Sequence, residues 1–324
     1  MKLNNNQQPK NRSCLLAALL LALALPSLLT AADQWTELPF PVRETITGIS
    51  FVSPSTGYVV TSGAKYARTT DSGKTWNVYT LAKDDPPYDD IFFLNADTGV
   101  ICGRQGFVAR TSDGCKSWVR TFWGDTTIWF TSVALLGGGA AALVGLIPGE
   151  MPKGVAFRSS DAALNWTQLP DLGYGYGELF YHKGDPLCFQ SWGKLHYSLD
   201  SGKTWSTLNT GSGKTGRATA FYGQTGVICG NLGMLSSSSD RGRTWTPSSL
   251  DKPDIHFTSA VLIDEKTGYV AGTGGTVMKT TNGGKLWLPE VVLKDPIDFA
   301  CMKLVGDYLY IGGVDGVIMR KKAK

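Results

Sequence analysis

One short segment recurs six times in this chain, and its spacing constrains the fold more than any other feature. Each copy follows the pattern Ser/Thr-x-Asp-x-Gly-x-Thr/Ser-Trp, with small local departures. The copies end at Trp76, Trp118, Trp166, Trp205, Trp245 and Trp287. Successive tryptophans are 42, 48, 39, 40 and 42 residues apart, which is about the length of one four-stranded blade of a β-propeller.

The chemistry of this repeated segment, the Asp-box, is structural. Its carboxylate can accept backbone N–H groups across a tight turn, and its glycine supplies a positive φ. Its tryptophan provides a large apolar surface that packs against the neighbouring strands. The side chains that we expect to hold the turns are Asp71, Asp113, Asp161, Asp200, Asp240 and Asn282. The third copy has Ala163 in place of the glycine, so we expect that turn to differ.

The two ends of the chain indicate a seventh blade. After the sixth box, three further strands are predicted near residues 297–299, 308–311 and 317–320, without a tryptophan strand. Trp35 precedes Trp76 by 41 residues, one full period, and supplies the missing strand. We therefore predict an all-β, seven-bladed β-propeller of four-stranded antiparallel blades over residues 33–324, closed by its N-terminal strand, which leaves no free sheet edge.

Residues 1–32 have the pattern of a secretory signal peptide. Three basic residues precede an apolar run over residues 15–25, and small residues follow at 30–32. An uncleaved anchor is the alternative, but the run is shorter than the roughly 20 apolar residues of a spanning helix. The remaining chain holds 28 basic and 27 acidic residues, which argues against nucleic-acid binding. We expect an exported monomer that is periplasmic or secreted and not transmembrane after cleavage.

The cysteines and histidines form no recognisable site in the sequence. Five cysteines follow the predicted signal peptide, an odd number, and no CxxC motif occurs. We predict small buried cysteines rather than a disulfide framework. The three histidines match no metal-binding spacing. We expect neither a cofactor nor a metal.

The repeats also resemble a known family. Thr-Gly-Tyr-Val-Val at residues 56–60, combined with Arg-Thr-Thr-Asp-Ser-Gly-Lys-Thr-Trp at residues 68–76, is similar to the photosystem II stability/assembly factors. The resemblance implies a non-catalytic factor that binds a protein partner and helps to build a membrane protein complex. In a photosynthetic host it implies a location resembling the thylakoid lumen. Cyanobacterial members carry a lipid-anchor cysteine that this sequence lacks, because Cys14 precedes the apolar run.

The family also implies an arginine-rich patch. The position three residues before the box Asp, or its equivalent in the seventh unit, is basic in five of seven units. These residues are Arg68, Arg110, Arg158, Lys279 and Arg320. They predict a docking patch for an acidic partner or for lipid headgroups. The alternative interpretation is a set of local pairs with the box carboxylates, or solvated ends of strands.

A second candidate surface surrounds the central channel, opposite the boxes. The hairpins between the second and third strands place these residues there: Lys65, Arg104, Gln105, Trp192, Asn231 and Asp315. A glycan-binding module or a sialidase-like glycoside hydrolase is the alternative function, and the enzyme would need facing carboxylates. The acidic residues of the connection between the first two blades are Asp84, Asp85, Asp89 and Asp90. We interpret them as a solvated loop.

Overall fold

The computed structural model describes residues 34–170, 178–181, 187–248, 250, 252–293 and 295–323. Within these ranges the strands form seven antiparallel sheets, six with four strands and one with three. The predicted seven-bladed propeller is confirmed. The predicted signal peptide lies outside the described residues, so cleavage stays a prediction. Across the part of the chain that is described, no helix has the length and apolar character needed to span a bilayer.

In blades 1 to 6 the strands follow chain order from the channel outwards. The strands of blades 1 to 3 are β2 (Ile46–Phe51), β3 (Gly57–Thr61), β4 (Tyr66–Thr69), β5 (Asn77–Tyr79), β6 (Tyr88–Phe93), β7 (Gly99–Gly103), β8 (Phe107–Thr111), β9 (Val119–Phe122), β10 (Trp129–Gly137), β11 (Ala140–Ile147), β12 (Lys153–Ser159) and β13 (Thr167–Gln168). Those of blades 4 to 6 are β14 (Leu187–Ser191), β15 (Lys194–Ser198), β16 (Ser206–Asn209), β17 (Gly216–Tyr222), β18 (Thr225–Gly230), β19 (Leu235–Ser238), β20 (Thr246–Pro247), β21 (Phe257–Leu262), β22 (Gly268–Gly272), β23 (Val277–Thr280) and β24 (Leu288–Glu290).

The seventh blade combines both ends of the chain. It consists of β25 (Phe299–Val305), β26 (Tyr308–Gly313), β27 (Ile318–Lys322) and, as the outermost strand, β1 (Thr36–Leu38). Thr36 pairs with Arg320 and Leu38 with Ile318. The N-terminal strand therefore covers the edge that β27 would otherwise expose.

The Asp-box forms a tight turn between the third and fourth strands of a blade. In the first box, Asp71 Oδ1 accepts a hydrogen bond from the Thr75 N–H at 2.9 Å, and Thr69 Oγ1 accepts one from the Gly73 N–H, also at 2.9 Å. Gly73 has a φ of +84°. The Trp76 indole donates to the Gly73 carbonyl at 3.1 Å, which fixes the buried ring under the turn.

The expectation that the third box differs is wrong. Ala163 adopts the left-handed conformation of the missing glycine, with a φ of +67°. Its N–H donates to Ser159 Oγ at 3.0 Å, and the Asn165 N–H donates to Asp161 Oδ1 at 2.9 Å. The hydrogen bonds of the Asp and of the first Ser/Thr therefore hold the turn even where a side chain makes that φ unfavourable.

The hydrophobic core lies between adjacent blades. The second strands, such as β3 and β7, are buried along their whole length because a blade packs on each face. At the junction of blades 1 and 2, the rings of Tyr58 and Phe93 stack with their centroids 3.6 Å apart. The five described cysteines are free and four of them are buried, which confirms the prediction of small core residues. This packing gives a rigid ring on which the loops and the channel are positioned.

Candidate functional site: the central channel and the blade junctions

The innermost strands of six blades, together with residues 178–181 of the fourth, line a central channel. One channel pocket of about 270 Å³ is bordered by one residue near the start of the innermost strand in six blades and by Glu178 in the fourth. These residues are Thr47, Asp89, Thr131, Glu178, Arg217, Thr258 and Ala300. In the six blades other than the fourth, this residue sits at a break in the strand register. A β-bulge redirects a side chain, and here the redirected residues form a mixed polar ring.

An ion pair crosses the channel. Lys303 on β25 donates from Nζ to Glu178 Oε1 of the fourth blade at 2.5 Å. Blades 7 and 4 lie on opposite sides of the ring, so the pair spans the channel rather than joining neighbours. Burial alone would lower the pKa of Lys303, but the carboxylates of Glu178 and Asp90 outweigh it and raise that pKa. Lys303 is therefore protonated at neutral pH.

Asp90 is the buried carboxylate beside this pair. Its Oδ2 accepts hydrogen bonds from Ser132 Oγ at 2.7 Å and from the Val133 N–H at 3.1 Å, which ties blade 2 to blade 3. Burial raises the pKa of Asp90 to about 6, although Lys303 and the hydrogen bonds act in the opposite direction. The interpretation of Asp90 as part of a solvated loop is wrong.

The adjacent carboxylates are also held by the protein. Burial raises the pKa of Asp89 to about 6, and the nearby guanidinium of Arg104, 3.9 Å away, partly offsets this. Asp85 accepts the Tyr88 hydroxyl at 2.6 Å and pairs with Arg120, and its side chain is inaccessible to solvent. Of the four acidic residues predicted to be solvated, Asp84 is the exposed one. The connection between blades 1 and 2 is therefore a fixed structural element.

We define the channel cluster as Asp89, Asp90, Glu178, Arg217 and Lys303. Two of its carboxyl groups change charge near pH 6, while Lys303 supplies a fixed positive charge between Asp90 and Glu178. Such a cluster can bind an ionic group or exchange protons near neutral pH. Within the described ranges, no group of three or more potential ligand residues could hold a metal ion.

The predicted channel-face residues lie on the predicted hairpins, but two of the six contact the channel cluster directly. Arg104 approaches Asp89, with its guanidinium carbon 4.7 Å from the centre of the Trp129 ring. Asn231 accepts a hydrogen bond from Arg217 Nε at 2.7 Å. Lys65 pairs instead with Glu44. Gln105 and Asp315 occupy left-handed turn positions, and Trp192 is 59% exposed.

Sequence reasoning missed most of the channel cluster, although the repeats contain a usable signal. Asp90 occupies the place that Gly48, Ser132 and Ser259 occupy in other blades. A charged residue among small ones marks a departure from the repeat. Comparing the innermost strands with each other, rather than the boxes, would have identified it.

The basic positions of the third strands have a shared geometry. Arg110 donates from Nε to the Ala162 carbonyl at 2.5 Å, Arg158 to the Ser201 carbonyl at 3.3 Å, and Arg320 from Nη1 to the Ser72 carbonyl at 3.0 Å. Each acceptor is the residue after the box Asp of the next blade. We call this contact the inter-blade latch. The local partner is thus a backbone carbonyl and not a box carboxylate, while the docking role stays a prediction.

Three of the other junctions have different contacts at the equivalent place. At junction 1/2, burial raises the pKa of Tyr58 while a hydrogen bond with Arg68 opposes the rise. At junction 6/7 the seventh blade contains no box, and Lys279 lies over the Tyr269 ring of its own blade at 5.5 Å. At junction 5/6, a Cβ added to Gly284 would lie 3.0 Å from the Ser237 Cβ, so small residues pack closely there.

Comparison with known proteins adds sequence and fold relationships. The family model for "Photosynthesis system II assembly factor YCF48" matches residues 28–175, just under half of the chain. The photosystem II assembly lipoprotein Ycf48 of Synechococcus sp. (strain CC9902) is 27% identical over 96 residues. That alignment spans 28% of this chain and 28% of the relative.

Solved structures share the fold over nearly the whole propeller. A structure of YCF48 bound to a D1 peptide has a TM-score of 0.73 and 22% identity, and the match covers 94% of this chain and 99% of that one. YCF48 from Cyanidioschyzon merolae has a TM-score of 0.71 and 16% identity, covering 89% and 98%. The family match over the first blades and the common fold over the rest confirm the resemblance: this chain is a seven-bladed Asp-box propeller similar to the photosystem II assembly factors.

Proposed function

We propose that this chain is an exported, non-catalytic propeller that binds a protein partner during the assembly of a membrane protein complex. The observation that carries the proposal is the match of the photosystem II assembly factor family over residues 28–175. The relative found by sequence is itself an assembly factor. The proposal extends that role to the whole ring.

The geometry suits protein binding. A rigid ring with short loops presents its surfaces with little ordering cost on association. The ion pair between Lys303 and Glu178 crosses the channel and leaves the two faces and the rim as the larger accessible surfaces. Trp192 on one face is 59% exposed and Leu199 near the boxes is 77% exposed, so both present apolar surface to the solvent.

The partner class follows from the similar structure. YCF48 is found there with a D1 peptide, so we propose that this chain recognises a peptide segment of a membrane protein. Export, directed by the predicted signal peptide at residues 1–32, would place the propeller on the same side of the membrane as that segment.

Affinity capture and a deletion strain together test this function. The tagged exported chain is incubated with detergent-solubilised membranes of its host, and captured proteins are identified by mass spectrometry. We expect subunits of one membrane complex, and in the deletion strain we expect that complex to accumulate less on native gels. Capture of no membrane subunit, together with normal accumulation, would contradict the proposal.

The predicted basic patch needs a variant that separates docking from the latch. Lys279→Glu reverses one of the basic charges at a junction where no box follows, so the latches of the other blades stay intact. Reduced capture with unchanged thermal stability would support docking through these positions. Lys116→Glu, at an exposed box lysine, is the matched control.

A hydrolase remains the second candidate because Asp89, Asp90 and Glu178 converge on one channel pocket. Their contacts favour a structural role, since Asp90 joins blades 2 and 3 and Glu178 pairs with Lys303. Screening the purified chain against aryl glycosides tests this alternative. Turnover that is lost in Asp90→Asn would establish an enzyme.

A further inference from the structure

Junction 4/5 departs from the repeat at three positions that meet in space. Tyr197 stands where Arg110 and Arg158 form latches. Leu199 stands where the other boxes carry a small polar residue: Thr70, Ser112, Ser160, Ser239 and Thr281. Arg241 follows the box Asp where the others carry Ser72, Gly114, Ala162, Ser201 and Gly283. No other box carries a large apolar residue at the position of Leu199, and no other box carries a charged residue at the position of Arg241. The two departures and Tyr197 are therefore specific to junction 4/5.

These departures border a cleft of about 430 Å³ between blades 4 and 5. Its apolar wall is formed by Leu187, Leu195, Leu199, Leu208 and Phe221. Arg241 and Arg243 of the fifth box line the same cleft, together with Tyr197. At junctions 2/3 and 3/4, an arginine crosses to the equivalent place and donates to the next box. Tyr197 replaces that arginine, and the described residues leave a cleft between the two blades.

The composition of the cleft defines the chemistry of its ligand. Leu199 is 77% exposed and extends the apolar wall of the cleft, so the wall offers a surface that an apolar side chain of a ligand can cover. Two guanidinium groups at one rim favour a carboxylate, which arginine can bind through two parallel hydrogen bonds. The volume lies in the range of ligand clefts and accommodates one or two large side chains. An apolar side chain next to an acidic one satisfies both parts of the cleft.

We infer that the cleft between blades 4 and 5 binds an extended peptide segment of the partner, in which apolar side chains are followed by acidic ones. This inference rests on the proposed protein-binding function and names the surface that performs it. The apolar side chains occupy the space that a latch arginine would fill. The acidic side chains pair with Arg241 and Arg243.

A labelled peptide tests the cleft directly. The probe is a fluorescein-labelled peptide with a central Leu-Phe-Asp-Asp sequence flanked by Gly-Ser pairs. Its matched controls have Asn in place of both Asp residues, or Ser in place of Leu and Phe. Fluorescence anisotropy measures its Kd for the exported chain. We expect both control peptides to bind at least tenfold more weakly than the probe.

Two variants take their substitutions from other units of this chain. Tyr197→Arg restores the latch residue and fills the cleft. Arg241→Ser combined with Arg243→Leu removes both charges, using the residues found at these places in the fourth and third boxes. We expect each variant to weaken probe binding at least tenfold while circular dichroism shows an unchanged fold. Lys116→Leu, which removes a box cation from blade 2, should leave the Kd unchanged.

A photoreactive leucine in the probe locates the bound peptide. Cross-links to peptides containing Leu199 or Leu208 support the cleft, and cross-links confined to other blades overturn it. Equal binding by all variants, or no saturable binding of the probe, also overturns it. If the wild-type chain captures a membrane complex and Tyr197→Arg captures it equally well, the proposed function stands and the cleft is wrong. If the probe binds in the cleft but capture fails and the complex accumulates normally in the deletion strain, the proposed function is wrong.

Discussion

Lys303 of the last blade reaches across the central channel to Glu178 of the fourth, two residues that are 125 positions apart in the sequence. Asp90 of the second blade lies close enough to raise the pKa of Lys303 further. Three blades thus share one charged cluster on the ring axis. Replacing one of these residues should therefore change the electrostatic environment of the other two.

Replacing Lys303 with methionine should raise the pKa of Asp90 above its value of about 6. The reason is that the positive charge of Lys303 stabilises the ionised form of Asp90 in the unsubstituted protein. A carboxyl whose folded-state pKa exceeds its unfolded value of about 4 costs stability once it ionises. The free energy of unfolding should therefore decline as pH rises through that window, and over a wider range in the variant. Urea denaturation between pH 4 and pH 8 measures this. Lys65→Met, which breaks the similarly exposed pair with Glu44, should show no such widening.

Removal of an inter-blade latch should destabilise the ring modestly. Arg110→Met loses the hydrogen bond to the Ala162 carbonyl while keeping most of the apolar stem. We expect the free energy of unfolding to fall by about 1 kcal/mol, as for one charged hydrogen bond that is partly solvated. Chemical denaturation of Arg110→Met beside Lys116→Met, at an exposed box lysine, isolates the latch. Equal stability of the two variants would show that the latch contributes nothing.

The box carboxylates should control acid stability. Hydrogen bonds from the Thr75 hydroxyl and N–H lower the pKa of Asp71 to about 2, and Asp113, Asp161 and Asp240 are lowered similarly. A depressed folded-state pKa adds stability that is present above the unfolded value of about 4 and is lost as pH falls toward 2. Thermal melts from pH 5 to pH 2 should show this loss. Asp71→Asn should weaken the pH dependence, because Asn282 already occupies the same position in the sixth box without titrating.

The pairing of β1 with β27 should be needed for a stable ring. Leu38 is buried against the last and first blades, whereas its neighbour Glu37 is exposed. Leu38→Ala should lower the free energy of unfolding by about 2 to 3 kcal/mol through lost burial and the cavity left behind. Glu37→Ala should change it by less than about 0.5 kcal/mol. Equal effects of the two substitutions would show that the burial of Leu38 does not stabilise the closed ring.

The fold was predictable because its signal is local. Each box encodes its own turn within eight residues, and the period between boxes counts the blades. The channel cluster was not predictable in the same way, because Asp90, Glu178 and Lys303 come from three blades and show no shared motif. The third box illustrates the opposite error, since Ala163 keeps a turn that its side chain alone disfavours. Contacts between distant blades form the channel cluster, and hydrogen bonds within the third box hold its turn. Neither could be inferred from the residue types at the single positions.

The strand pairing between Thr36 and Arg320 joins nearly the most distant parts of the sequence. The entropic cost of bringing such distant segments together grows only with the logarithm of their separation in sequence. Contacts of such long sequence separation nevertheless form slowly, and β1 can pair only after β27 has been placed in the sheet. During folding, six blades can stack on their neighbours while the seventh still has an open edge. The pairing of β1 with β27 is therefore expected to form late in folding. A mechanical force applied to the two ends of the chain should separate these two strands first and open the ring at the seventh blade.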